Sequence, residues 1–185
     1  MANLFSLPTR FLALLGAGLL LSGCCANNEC PCEDADIDVV ELRFTRGFAP
    51  SELDTVAIER YPVPLPVGGK PETVVLIRPA AQAYDAIRLN NNTPFAQIGT
   101  TKLDGYRYVL RYYAAQPGRK SVLTTLYNIN AINLKGSLDS DGCCACYTNA
   151  SKTVAARREG AAQDSIFDLK QLDLKQPPKF LRISK

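Results

Sequence analysis

The side chains best suited to chemistry in this sequence are its cysteines. There are seven, in two groups: Cys24, Cys25, Cys30 and Cys32, then Cys143, Cys144 and Cys146. Clustered thiols can form disulfides, bind a soft metal ion such as Cu(I) or Zn, or act as a catalytic dithiol. The chain contains no histidine, which excludes Ser-His-Asp and Cys-His nucleophiles and histidine-based zinc sites. The thiols are therefore the chemistry that the rest of the chain has to position.

An apolar run precedes the first cysteine and indicates where the thiols reside. It extends from Phe11 to Leu21, follows Arg10, and is too short to span a bilayer, which needs about 20 apolar residues. The four residues that end it, Leu21-Ser22-Gly23-Cys24, resemble a bacterial lipobox. This resemblance implies that residues 1–23 are a signal peptide removed on maturation, and that the chain is a lipoprotein anchored through lipid on Cys24.

The same resemblance suggests a destination. The absence of aspartate at position 25 resembles the pattern of lipoproteins sorted to the outer membrane, so we expect an outer-membrane lipoprotein. The alternative is an ordinary signal peptide that is cleaved near Gly23 and leaves Cys24 free for a disulfide. Two short segments, Asp54-Thr55-Val56 and Asp164-Ser165-Ile166, resemble the O-glycosylation signal of Bacteroidetes envelope proteins and hint at such an origin.

If Cys24 carries lipid, the remaining thiols are even in number and lie in an oxidising compartment. They are Cys25, Cys30, Cys32, Cys143, Cys144 and Cys146, which predicts three disulfides. Adjacent cysteines in an extended strand rarely bond each other, so the two clusters should bond to one another. An antiparallel alignment pairs Cys30 with Cys146 and Cys32 with Cys144, and leaves Cys25 near Cys143. Pro31 has no N–H donor, so the first cluster is predicted to lie on an edge strand.

A metal site and a catalytic dithiol are the alternatives for these cysteines. The spacing lacks the Cys-x-x-Cys pattern usual for zinc, and no helix N-terminus is predicted where a redox dithiol would need one. The disulfide interpretation is therefore favoured. Its physical role would be to clamp the N-terminal tether, residues 24–37, onto the folded domain.

Composition limits the number of domains and the classes of partner. The chain has 185 residues and a net charge of +3, and loss of Arg10 with the signal peptide leaves about +2. A nearly neutral chain has no electrostatic footprint for nucleic acid. Residues 38–185 suit a single domain. No Walker or Gly-x-Gly-x-x-Gly loop supports a nucleotide cofactor, and we expect none.

Hydrophobic alternation predicts an all-β fold. Val40, Leu42 and Phe44 alternate with polar residues, and a second strand has Val56 and Ile58 inside with Glu59 and Arg60 exposed. Further strands are predicted at 73–78, covered on both sides, and at 106–113, 122–134, 145–148 and 153–157, with a turn at 136–142. The expected fold is an antiparallel β-sandwich, immunoglobulin-like or related. A small barrel is the alternative to the sandwich. At the C-terminal end of the chain, a helix near 168–176 is a less favoured alternative to strand.

Three tyrosines share one face of the strongest predicted strand. Tyr106, Tyr108 and Tyr112 could stack on a sugar or peptide, but packing into the core is the favoured interpretation. No other catalytic constellation is present in the sequence. We therefore expect a non-enzymatic envelope protein whose sandwich binds a protein or glycan partner or serves a structural role. The alternatives are a periplasmic thiol or metal protein and a carboxylate-based hydrolase.

Overall fold

The structure is a computed structural model that describes residues 30, 32, 37–116, 119–141, 144–170 and 178–185. The signal peptide, Cys24, Cys25, Cys143 and most of the tether lie outside these residues, as does most of the segment considered for a C-terminal helix. Nine strands are described: β1 Val40–Phe44, β2 Thr55–Pro62, β3 Glu72–Ile77, β4 Ile87–Leu89, β5 Tyr106–Gln116, β6 Arg119–Asp141, β7 Cys144–Arg158, β8 Ser165–Asp168 and β9 Leu181–Ile183. Short 3₁₀ turns occur at Pro50–Glu52, Ala80–Gln82 and Leu103–Gly105. Within the described residues no helix is long and apolar enough to cross a membrane.

The strands form two sheets that pack face to face. One has three strands in the order β4-β1-β9, and the other has six in the order β3-β2-β5-β6-β7-β8. This arrangement confirms the predicted all-β sandwich. One pair departs from the antiparallel expectation, because β1 and β9 run parallel.

The core between the sheets follows the alternation seen in the sequence. Val40, Leu42 and Phe44 of β1 are at most 5% exposed, and they pack in one cluster with Ile58 and Leu110 of the larger sheet. Tyr106 and Tyr108 belong to the same cluster. Their burial confirms the packing interpretation of the tyrosines and removes both rings from any ligand-stacking surface. Burial also raises the pKa of Tyr108 well above the usual tyrosine value.

The β6–β7 hairpin is longer than the sequence predicts. The predicted turn at 136–142 is wrong, because β6 continues as strand to Asp141 and pairs with β7 throughout. The two separate strands predicted at 145–148 and 153–157 are likewise one strand. Two register shifts interrupt this pairing: Asn130 is the extra residue in β6, and Ala150 is the extra residue in β7, opposite the step from Lys135 to Gly136. At the second shift only glycine fits, since a Cβ on Gly136 would collide with the Thr148 carbonyl oxygen.

Strand β3 differs from its prediction. The β-branched run at 73–78 was expected to be covered on both sides, but β3 is an edge strand of the larger sheet. Val74 and Leu76 pack against the core, whereas Val75 is 55% exposed and Ile77 is 84% exposed. A continuous apolar run satisfies a strand covered on one face as well as one covered on both, so the sequence alone does not separate the two cases.

Arg60 was predicted to be exposed and is instead buried, with 2% of its surface accessible. It follows Val56 and Ile58 at a spacing of two and therefore faces the core. Its guanidinium donates to both carboxylate oxygens of Glu72, at 3.1 and 2.8 Å, and to the Ala96 carbonyl oxygen at 2.6 Å. The rings of Phe95 and Tyr106 lie 4.7 and 4.5 Å from the guanidinium carbon. These contacts satisfy a charge that would otherwise be costly to bury.

Candidate functional site

Four cysteines join the N-terminal segment to the far end of the β6–β7 hairpin. Cys30 is bonded to Cys144 and Cys32 to Cys146, with Cα–Cα separations of 5.4 and 5.3 Å. These are ordinary separations for disulfides. The expectation that the two clusters bond to each other is therefore confirmed for the described cysteines.

The order of pairing within the clusters was predicted wrongly. An antiparallel alignment would have joined Cys30 to Cys146 and Cys32 to Cys144. Both observed bridges instead have the same sequence separation, 114 residues, because the N-terminal segment advances in the same direction as β7. The segment is also not the predicted edge strand, since neither Cys30 nor Cys32 belongs to a strand, and the Cys32 N–H donates to the Cys30 carbonyl oxygen at 2.7 Å. A bond between Cys25 and Cys143 stays a prediction.

Two polar side chains of β7 hold the same N-terminal segment beyond the disulfides. The Asn149 amide nitrogen donates to the Ile37 carbonyl oxygen at 2.8 Å and to an Asp38 carboxylate oxygen at 3.0 Å. The Lys152 ammonium donates to the Ile37 carbonyl oxygen at 3.0 Å. We name these residues, together with the four bonded cysteines, the N-terminal junction. It follows β7 from Cys144 to Lys152.

Lys152 is an unusual residue for this position because it is 8% exposed. Burial lowers the pKa of its ammonium, while the nearby carboxylates of Asp38 and Glu41 act in the opposite direction. The charge is thus balanced by the segment that it binds. Neither Asn149 nor Lys152 carried a sequence signal for this role, since each contact joins residues more than a hundred positions apart.

The junction has the chemistry of a covalent clamp. All four described cysteines are in disulfides, so in this form they present no thiolate for metal binding or exchange. Among the described residues there is also no group of three or more cysteine, aspartate or glutamate side chains placed to hold a metal ion.

A second candidate surface is the outer face of the six-stranded sheet, opposite the core. A shallow depression of about 140 Å³ is lined there by Tyr61, Arg107, Asn128 and Asn130, among others. The Tyr61 hydroxyl donates to a Glu59 carboxylate oxygen at 2.7 Å, and this hydrogen bond together with partial burial raises the pKa of Tyr61. The Asn128 and Asn130 amide nitrogens donate to Glu159 and Asp164. The Arg107 guanidinium and the amide oxygens add hydrogen-bonding capacity to this surface.

Comparison of the chain with protein-family models, with curated proteins and with solved structures finds no match.

Replacing Asn149 with alanine is expected to loosen the junction without breaking its covalent bonds. The change removes the hydrogen bonds to Ile37 and Asp38, and we expect the free energy of unfolding to fall by about 1 kcal/mol. Chemical denaturation of the oxidised protein measures this loss. Alanine in place of Asn128, which is on the outer face and does not contact the junction, is the matched control and should change stability by less than about 0.5 kcal/mol. Equal losses from the two variants would contradict the prediction.

Proposed function

We propose that this chain is a lipid-anchored protein of the bacterial cell envelope, held through Cys24, and that its sandwich is a non-enzymatic binding or structural module. The observation that carries the proposal is the pair of disulfides from Cys30 and Cys32 to the β6–β7 hairpin. Disulfides of this kind persist in oxidising compartments. Export and processing at the lipobox would deliver the chain to one.

The position of the clamp supports an anchoring role. Cys30 lies six positions after Cys24, and a fully extended chain of six residue steps spans at most about 20–22 Å. Without the disulfides the first residue held on the sandwich would be Ile37, bound by Asn149 and Lys152. It lies thirteen positions after Cys24, which would allow about 43–47 Å by the same measure. The clamp would thus keep the hairpin tip close to the bilayer and restrict the orientation of the sandwich.

The outer face of the larger sheet supports the binding part of the proposal. Its depression is lined by the Arg107 guanidinium and by the amide groups of Asn128 and Asn130. A guanidinium and amide oxygens are groups that recognise hydroxyl-rich or acidic polymers by hydrogen bonds. An envelope glycan or a protein partner is therefore the class of ligand that we propose. The alternative of a thiol, Cu(I) or Zn protein would require the observed disulfides to be reduced, and no contact among the described residues favours it.

Lipid attachment is tested by replacing Cys24 with alanine in the native host. Unsubstituted protein should incorporate an alkyne-labelled fatty acid, sediment with the outer membrane and have a mature mass that begins at an acylated Cys24. The Cys24→Ala variant should lose the label and the membrane association. Cys25→Ala, one position along, is the matched control and should keep both. A mature chain that begins with an unmodified cysteine would contradict the proposal.

Metal content and thiol reactivity, measured on protein from the same membranes, distinguish the proposed binding role from the thiol alternative. Protein extracted from membranes in detergent without reductant should contain no bound copper or zinc in stoichiometric amount, and Cys30, Cys32, Cys144 and Cys146 should resist alkylation. Stoichiometric metal with reactive thiols at these positions would replace the proposed function with the thiol alternative.

A further inference from the structure

The open edge of β3 has the features of an interaction surface. It is the last strand on its side of the larger sheet, and its outward row is Thr73, Val75 and Ile77, of which Val75 and Ile77 are mostly exposed. Edge strands of soluble proteins usually carry charges, prolines or bulges that prevent pairing with another chain. None of these interrupts the outward row of β3.

The backbone of β3 shows which groups face the open edge. The Arg78 N–H donates to the Asp54 carbonyl oxygen at 2.6 Å, and the pairing of β2 with β3 has no register shift. Hydrogen-bonded pairs in an antiparallel ladder recur every second residue. The backbone groups of even-numbered residues of β3 therefore bond to β2. The backbone N–H and C=O groups of Thr73, Val75 and Ile77 point away from β2, toward the open edge of the sheet. Pro71 and Pro79 occupy the next odd positions on either side and end the row of donors.

A groove of about 540 Å³ runs beside this edge, a volume typical of ligand-binding clefts. Val75, Leu76 and Ile77 form one wall, and Ile87 of β4 and Pro94 are on the other. Arg78 lies at the end of the groove and is 7% exposed. One nitrogen of its guanidinium, NH1, is buried and makes no hydrogen bond within the part of the chain that the structure describes.

We propose that this edge pairs with the same edge of a second copy of the chain, antiparallel, with Val75 opposite Val75. This register makes Thr73 opposite Ile77 a hydrogen-bonded pair at each end, so every outward N–H and C=O of the row finds a partner. A shift by two residues in either direction places an outward residue opposite Pro71 or Pro79, which lacks an N–H. The prolines thus select one register.

Charge and shape agree with this register. It places Glu72 of the second copy, whose carboxylate also accepts from its own Arg60, opposite Arg78. One Arg78 nitrogen, NH2, donates to the Gln82 and Asp85 carbonyl oxygens, and the other, NH1, has no hydrogen-bond partner among the described residues. On the outer face, the exposed Val75 and Ile77 of both copies would form one continuous apolar row.

Single-cysteine cross-linking tests both the dimer and its register. The purified full-length chain, kept oxidised, is treated with a short bismaleimide, and the unsubstituted protein provides the background from native thiols. Val75→Cys should give a covalent dimer above that background. Thr73→Cys and Ile77→Cys should each fail to do so alone, but an equal mixture of the two should form the dimer, because these positions face each other only across copies.

A disrupting variant provides an independent measurement. Val75→Pro removes an outward N–H that makes no bond to β2, so the sandwich should remain folded while sedimentation shows loss of the dimer. If the proline variant unfolds, Val75→Lys serves the same purpose. Ile166→Lys is the matched control, because Ile166 lies on β8, the opposite edge strand, and is 69% exposed. This variant should remain dimeric.

The proposal is overturned if Val75→Cys reacts with a monofunctional maleimide but yields no dimer. It is overturned equally if Thr73→Cys alone cross-links as well as Val75→Cys, since the register would then be wrong. Cross-linking of Val75→Cys in cells to a different envelope protein, with the purified chain monomeric, would assign the edge to another partner and would also reject self-pairing.

Discussion

In a chain that also carries Cys25→Ser and Cys143→Ser, so that no third bridge can close the same loop, removing both described disulfides is expected to lower the free energy of unfolding by about 4–5 kcal/mol, the value that the chain-entropy model gives for a closed loop of about 100 residues. Each bridge joins residues 114 positions apart, so the two constrain nearly the same loop. The first bridge closes that loop, and the second adds little further constraint on the unfolded chain. The two contributions should therefore be strongly non-additive.

Paired serine substitutions measure this non-additivity without leaving an unpaired thiol. We expect Cys30→Ser with Cys144→Ser to cost little, and the same for Cys32→Ser with Cys146→Ser, because either remaining bridge keeps the loop closed. The quadruple variant, made like the paired ones in the chain that lacks Cys25 and Cys143, should show the full loss. Denaturant titration gives the three free energies, and a paired variant as unstable as the quadruple would contradict the entropic explanation.

The sandwich should survive loss of both bridges, because its core does not include the hairpin tip. The buried cluster draws on both sheets, whereas Leu138 near the tip is 70% exposed. Limited proteolysis distinguishes local release from global unfolding. Without the bridges, cleavage near residues 33–36 should accelerate while the sheets stay protected. Equal cleavage there with and without the disulfides would show that the clamp does not hold the segment.

The fold class was predictable because strand periodicity is local information. Val40, Leu42 and Phe44 carry the period of a half-buried strand, and the structure buries all three. The hairpin tip was not predictable in this way. Gly136 and the aspartates after it resemble a turn in composition, but β7 pairs with them and extends the ladder to Asp141. Pairing with a distant partner overrides local preference.

The candidate site was predictable only in part, for a related reason. The even number of cysteines and the expected oxidising compartment predicted disulfides between the two clusters. The order of pairing depends on the direction in which the N-terminal segment runs along β7. That direction is set by contacts such as the hydrogen bond from Asn149 to Ile37. No residue within a few positions of Cys30 encodes it. The burial of Arg60 was not predicted, because its polar neighbours Glu59 and Tyr61 are typical of a solvent-exposed strand end.

Replacing Arg60 with alanine is expected to lower the free energy of unfolding by about 3–5 kcal/mol. The change removes the guanidinium from between the rings of Phe95 and Tyr106 and opens a cavity between them. It also leaves the Ala96 carbonyl oxygen without its donor. Glu72 contributes less to the loss, since its side chain is 42% exposed and water can solvate the carboxylate. Denaturant titration measures the loss, and near-ultraviolet circular dichroism reports on the tyrosine environment.

Methionine at position 60 separates the packing of this side chain from its charge. A side chain of similar length keeps the space between Phe95 and Tyr106 filled, so Arg60→Met should lose only about 1–3 kcal/mol, the cost of the unsatisfied Ala96 acceptor. Arg107→Ala, an exposed arginine on the neighbouring strand β5, is the surface control and should change stability by less than about 0.5 kcal/mol. If Arg60→Met is as unstable as Arg60→Ala, the polar contacts of the guanidinium with Glu72 and Ala96 account for the stability and filling of the ring pocket does not. If both variants resemble Arg107→Ala, the buried guanidinium contributes nothing net, because its desolvation cancels its contacts.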